Sequence, residues 1–346
     1  MSNQAPPRQL QRRVVPFTAR DGFHCNLINV RGEKAPTKSP VLLVHGAGVR
    51  ANIFEAPVET TLVDYLVARG YDVWLENWRA SIEFPPNLWN LDEAALNDHP
   101  VAVETVVRET GAEKIKAVIH CQGSTSFTMS ALAGLVPQVS TIVSNAVSLH
   151  TVLPTGSKMK ILYALPFLRA LTDYLNPQWG RNAPTLAAKM VSLLVSLAHH
   201  ECNNPVCKQV SFTYGSGFPA LWSHENLNEE THQWLSDEFA EVPMRFFTQM
   251  AQCVRKGNLV SMGGNQLPND LAAKPPQTDA RFAFFTGRNN LCFLPVSQVR
   301  SYDWFDSHRR GYHSLHELPS YGHLDVFMGK NASRDVFPLI EAELER

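Results

Sequence analysis

Short apolar runs bounded by turn residues recur along the first half of the chain, with helically spaced segments between them. Arg13–Thr18 and His24–Val30 read as two strands joined at Asp21-Gly22, a hairpin signal. Pro40–Val44 is a continuous apolar run, which predicts a buried strand, and it leads directly into His45-Gly46-Ala47-Gly48. Helical spacing over Pro57–Arg69 stops at Gly70, and Tyr71–Leu75 predicts the next strand. Leu91–Thr110 predicts a helix closed by Gly111. Ile115–Ile119 is again a strand, a helix follows to about Leu135, and Thr141–Val147 is a strand. Alternation at this spacing predicts an α/β fold with a mainly parallel sheet and right-handed crossovers.

The pattern changes after residue 151. Helical spacing appears in Ile161–Leu175, Leu186–Ala198 and His232–Val254, in a section rich in aromatic residues such as Tyr163, Phe167, Trp179, Tyr214 and Trp222. Strand character returns at Arg281–Phe285, a helix is expected around Val296–Phe305, and Tyr312–Leu318 reads as the final strand before a helix at about Ala332–Glu345. The expected organisation is therefore a frayed tail over 1–12, a core over 13–151 and 279–346, and a helical cap insertion over 152–278. Most of the cap aromatics are expected in its core, with a minority lining an apolar pocket.

Composition narrows the functional classes. A chain of 346 residues with 44% hydrophobic content can bury one large core. A formal charge of −1, with no run of one sign, gives no reason to expect a nucleic-acid partner. The N-terminal MSNQAPPRQLQRR has no apolar run after its basic residues, so it does not read as a secretory signal. No stretch is apolar for the length a spanning helix needs, so no stable membrane insertion is expected. The six cysteines show no dense disulfide spacing, and reduced thiols in a cytoplasmic protein are the expectation. A homodimer stays open. Cys202 and Cys207 have no second matching pair, and the adjacent His199 and His200 would point apart on a helix, so no metal site is expected there.

The candidate chemistry lies just beyond predicted strand ends, which share one edge in an open parallel sheet. Strand Ile115–Ile119 meets His120-Cys121-Gln122-Gly123-Ser124 and then a helix. That is a strand, a tight turn and a helix, with Cys121 at its apex and Gly123 where a side chain would clash. Asn290 follows the late strand, in GRNNLCFLP, and His323 follows the last strand, in PSYGH.

With these residues in place, the chain is similar to the α/β-hydrolases from about Val14 to the C-terminus. Their nucleophile elbow is G-x-S-x-G; here Cys121 stands at the serine and Ile119 at the first glycine. Asp72–Ser81 (DVWLENWRAS) and His120–Thr125 (HCQGST) resemble segments of the acid lipases. Polyhydroxyalkanoate synthases resemble it in having a cysteine elbow. The elbow most resembles that of hydrolase domains fused to, or found alongside, cholesterol-oxidase-like flavoenzymes. Acid lipases and polyhydroxyalkanoate synthases have Asp where this chain has Asn290.

The resemblance implies a central sheet with helices on both faces and a helical cap. It also implies roles: Cys121 as nucleophile, His323 as its base, and an oxyanion hole from the backbone N–H of Gln122 with that of Ala47 or Gly48. Asn290 would orient His323 by accepting the ring N–H through its amide oxygen, the alternative being a turn residue with another group orienting the ring. Asp325, two residues from His323, is not expected to reach the ring. His45 is expected to brace the oxyanion turn, His313 and His316 to be structural, and His120 either to pack against a neighbouring strand or to face the pocket. No dinucleotide or flavin fingerprint appears, so no cofactor is expected. The implied activity is an esterase- or lipase-like carboxylic-ester hydrolase, acting on a small apolar ester or acyl substrate through an acyl-thioenzyme. An acyltransferase using the same residues and a non-catalytic binding protein are the alternatives.

Overall fold

The strand pattern closes into one eight-stranded sheet in a computed structural model that describes residues 10–200, 202–217, 219–264 and 266–346. Residues 1–9 of the expected tail lie outside the described residues, whereas Gln11 and Arg12 belong to the first strand. The strands are β1 (Gln11–Thr18), β2 (His24–Arg31), β3 (Pro40–Val44), β4 (Asp72–Asn77), β5 (Ile115–His120), β6 (Val139–Asn145), β7 (Tyr174–Leu175), β8 (Val242–Pro243), β9 (Arg281–Gly287) and β10 (Ser314–Leu318). The sheet order is β1-β2-β4-β3-β5-β6-β9-β10. Pairings β1/β2 and β2/β4 are antiparallel, and all the others in this sheet are parallel.

Burial explains the sequence pattern. β3, β4 and β9 are buried at every position because the central sheet is covered on both faces, which leaves the apolar runs Pro40–Val44, Val73–Leu75 and Phe282–Phe285 in the sequence. β10 lies at the sheet edge and is only partly covered. Helix α1 (Leu62–Ala68) starts at a capping box formed by Thr61 and Asp64. α2 (His99–Thr110) ends at left-handed Gly111. α3 (Cys121–Leu132) is buried on all sides, directly behind β5.

Between β6 and β9 the chain builds α4 (Leu165–Leu171), α5 (Leu186–Ala198), α6 (Pro205–Tyr214), α7 (Glu229–Trp234) and α8 (Met244–Lys256). Two predicted helices differ here. The one expected over Ile161–Leu175 stops at Leu171, and Tyr174–Leu175 becomes β7, paired with β8. The one expected over His232–Val254 divides, because Pro243 lacks an N–H and sits at the N-cap of α8. α6 has no counterpart in the periodicity; it is set by Asn204, whose side chain accepts from the N–H of Val206 and Cys207, and by Pro205 at its first turn. α9 (Pro295–His308) and α10 (Phe337–Glu345) complete the fold, with Pro338 in the first turn of α10. No described helix is long and apolar enough to cross a membrane.

Registers align the strand ends that carry the candidate residues. Val44 pairs with Ile119, His120 with Asn145, Asn145 with Phe285, and Leu318 with Gly287. The turns after β3, β5, β9 and β10 therefore emerge along one edge.

Candidate active site

Cys121 sits at the β5–α3 turn with φ of 56°, a left-handed backbone that an L residue adopts at a cost of about 1–3 kcal/mol. The neighbouring turn presses against it. A Cβ on Gly123 would overlap the carbonyl oxygen of His45, and a Cβ on Gly46 would come within 2.9 Å of the Cys121 Cβ. Both glycines are thus required for the oxyanion turn and the elbow to meet. Ile119, at the position of the missing first glycine, is fully buried in the core.

The structure brings Cys121 and His323 together across the sheet. The Cys121 Sγ and ring nitrogens of His120 and His323 lie within 4.8 Å of one another. Burial opposes ionisation of Cys121, yet its thiol is held well below the ordinary range by the Cys292 thiol, by His323 and by the N–H of Gln122. Cys292 moves the opposite way, raised by its bond to Cys121 and by burial. Sequence spacing gave no sign of this partner, which lies two residues after Asn290.

Asn290 reaches His323, but in the opposite sense to the expectation. Its Oδ1 accepts from the backbone N–H of Cys292 at 2.9 Å and of Phe293 at 3.2 Å. The amide is thereby fixed, and its Nδ2 faces the His323 Nδ1 at 3.1 Å. The amide nitrogen donates, so Nδ1 must accept and the ring proton resides on Nε2. His120 is bound in the same way: Asn145 Nδ2 donates to its Nδ1 at 2.9 Å and to the His323 carbonyl at 3.1 Å. The rings of His120 and His323 are 4.7 Å apart, so His120 supports the other histidine. Burial lowers its pKa.

Of the two candidate donors in the oxyanion turn, Gly48 is already engaged, its N–H bonding to Ala80 O at 3.2 Å. Its φ of 66° and the close approach of Tyr214 account for the glycine. No such bond ties the Ala47 N–H among the described residues. His45 braces this turn through Nδ1 and Gly46 O at 2.6 Å, and Trp78 donates to the His45 carbonyl at 3.0 Å. Burial lowers His45 to about 3, leaving it neutral.

A pocket of about 680 Å³, mouth included, opens beside the elbow between the core and the inserted helices. Gln122, Ile161, Phe212, Tyr214, Phe246 and Cys292 line it, a mainly apolar wall. Tyr214 Oη donates to Ala47 O at 3.0 Å, tying α6 to the oxyanion turn. Lys160 also lines the pocket; it donates to the carbonyls of Phe212 and Gly215, both at 2.5 Å, and burial lowers it to about 8.

Other candidates fall away from the chemistry. Asp325 accepts from the N–H groups of Gly322 and Ser223 and from Asn226, so it shapes the His323 loop. His313 accepts from Phe282 N, and His316 pairs with Glu343. Ser126, His99 and Glu76 form a hydrogen-bonded chain, with contacts of 2.7 and 2.9 Å at the two ring nitrogens. That chain has the connectivity of a catalytic triad, but all three residues are fully buried, away from the pocket lining.

A second donor cluster appears where none was expected. Cys202 and Cys207 meet His224 and His232, and their ligating atoms lie within 4.8 Å of one another. The Cys207 thiol, with His224 and His232 close by, holds the Cys202 thiol down to about 3. His199 and His200 are not members of the cluster.

No family model matches the chain. It is 24% identical to human lipase member K over 371 aligned positions, covering 92% of this chain and 84% of that protein. With rat gastric triacylglycerol lipase the identity is 26%, over 87% of this chain and 79% of the other. An esterase from Pyrococcus furiosus superposes with a TM-score of 0.57 over 100% of this chain and 95% of its own, at 11% identity. The chain has an α/β-hydrolase fold. Within this fold it carries a cysteine at the elbow, an Asn-bound histidine beside it, and a pocket roofed by the segment between β6 and β9.

Proposed function

We propose that this α/β-hydrolase is a carboxylic-ester hydrolase that acts on an apolar acyl substrate through a thioester on Cys121. The observation that carries the reading is the thiol itself: held on left-handed backbone at a strand–helix turn, shifted toward the thiolate, and set beside an apolar pocket. Similarity to lipases over most of the chain supports ester chemistry.

In this reading the thiolate attacks the ester carbonyl. The N–H groups of Gln122 and Ala47 receive the developing oxyanion, aided by the N-terminus of α3. As the C–S bond forms and the C–O bond breaks, the His323 Nε2–H hydrogen-bonds first the thiolate and then the departing alkoxide, which takes its proton from water and leaves the ring neutral. Residues 152–278 act as the cap that keeps water from the acyl chain. Attack of water on the thioester needs a base, and an Nε2 that carries a proton cannot serve as one. Deacylation is therefore the slow step, and the acyl-thioenzyme accumulates. The same tautomer favours a second reading, transfer of the acyl group to an acceptor other than water.

Rapid-quench intact-mass analysis with aryl esters of increasing chain length tests both. The hydrolase reading expects an adduct on Cys121 that decays in water. Faster decay on adding a thiol or alcohol, with the acyl group recovered on it, selects transfer. Absence of any adduct, with full turnover by Cys121→Ala, overturns the cysteine mechanism.

A further inference from the structure

The strongest unassigned feature is the cluster of two thiols and two imidazoles in the segment between β6 and β9. Cys202 follows α5, Cys207 lies in the first turn of α6, His224 opens a short 3-10 turn, and His232 is on α7. Four separate pieces of chain thus aim one donor each at a common point. The Nε2 atoms of His224 and His232 are 3.2 Å apart, and the Cys207 Sγ is 3.5 Å from the His224 Nε2. Zinc–nitrogen bonds of about 2.0–2.1 Å and zinc–sulfur bonds of about 2.3 Å place tetrahedral ligand edges at roughly 3.3 Å for N–N and 3.6 Å for S–N. The observed separations match those edges.

We propose that Cys202, Cys207, His224 and His232 form a structural zinc site. The donor chemistry selects the ion: two thiolates with two imidazoles in tetrahedral array suit zinc, whereas calcium and magnesium take oxygen ligands. The C-x4-C spacing of Cys202 and Cys207 falls in the usual zinc range, and the longer H-x7-H spacing of His224 and His232 is bridged by the fold. Four protein ligands close the coordination sphere, so this ion holds structure and leaves no position for a substrate.

What it holds is the frame of the pocket. α6 runs from Cys207 to Tyr214, which bonds the oxyanion turn. Just before His224, Leu221 O accepts the backbone N–H of both His323, at 2.9 Å, and Leu324, at 2.8 Å. Ser223 N–H bonds Asp325, which shapes the same loop. The zinc ties these supports to α7 and to the end of α5. This role is independent of the reaction proposed for Cys121.

The test is elemental analysis of untagged protein purified without chelator, with cobalt(II) replacement as a second, optical readout. Expected are one equivalent of zinc per chain and, after exchange, the visible bands of tetrahedral cobalt with a thiolate charge-transfer band in the near ultraviolet. Cys202→Ser and His232→Ala should lose the metal, while Cys121→Ser keeps it. Should the variants fail to fold, alkylation mapping on the wild type decides, with Cys202 and Cys207 protected until a strong chelator is added. Three results overturn the proposal: metal-free protein that takes up neither zinc nor cobalt, a Cys202–Cys207 disulfide detected by mass, or metal that leaves in Cys121→Ser instead of Cys202→Ser.

Discussion

Two clusters of cysteine and histidine lie in this molecule, and their hydrogen bonds set them apart. Around Cys121, both imidazoles receive an amide N–H at Nδ1, from Asn145 and Asn290. That keeps a proton on each Nε2 and leaves no lone pair for an ion at the elbow. Metal-bound histidines do the reverse, donating the second ring N–H to an acceptor. Around Cys202, the two Nε2 atoms face each other and the sulfurs. In the two readings proposed above, the same residue types serve a nucleophile in one place and a ligand set in the other. The decision rests with neighbours such as Asn290, which are not part of any metal or nucleophile pattern.

The hardest blow to this contrast is Cys121→Ala, which should lower ester turnover at least ~10³-fold while leaving zinc content unchanged, as read by steady-state kinetics and elemental analysis. Loss of zinc there would merge the two clusters into one. Gly123→Ala comes next, because its methyl group meets the His45 carbonyl. It should destabilise the fold by about 2–3 kcal/mol in denaturant titration and remove adduct formation.

Asn290→Asp sharpens the contrast by reversing one hydrogen bond. One carboxylate oxygen keeps the N–H groups of Cys292 and Phe293, and the other accepts Nδ1–H, which frees Nε2 as a base. Deacylation should rise about tenfold or more in single-turnover experiments. Equal deacylation rates for Asn290→Asp and wild type would show that the tautomer does not control the step.

At the other cluster, Cys202→Ser should lower the melting temperature by about 5 °C or more, measured by scanning calorimetry. The smallest effect is expected from Cys292→Ala. Without that donor the Cys121 pKa rises, so less thiolate is present at acidic pH. Acylation should slow about fivefold there and recover as the pH is raised.

The strand series was legible because each central strand is covered on both faces and so leaves an apolar run. His323 was legible because the order of strands brought one loop to Cys121. Three things were hidden for a common reason. The sense of the Asn290 hydrogen bond depends on two backbone N–H groups two and three residues further on. The engagement of Gly48 depends on Ala80. The completion of Cys202 and Cys207 depends on His224, in a short 3-10 turn, and His232, on α7, both well separated from the cysteines in sequence. In each case the deciding partner is set by the folded conformation, a local turn for Asn290 and tertiary packing for the other two, which spacing along the chain does not encode.

The sealed chain of Ser126, His99 and Glu76 bears on how this protein would behave in a chemical survey. A search for triads by connectivity alone would pick those three residues and forecast labelling by fluorophosphonates. Ser126 is fully buried, and the nucleophile proposed at the pocket is the Cys121 sulfur. In an activity-based screen the protein would escape the serine-hydrolase probes and answer to acyl or alkylating reagents aimed at thiols. Its function would then surface among reactive cysteines, well away from the lipases whose fold it shares.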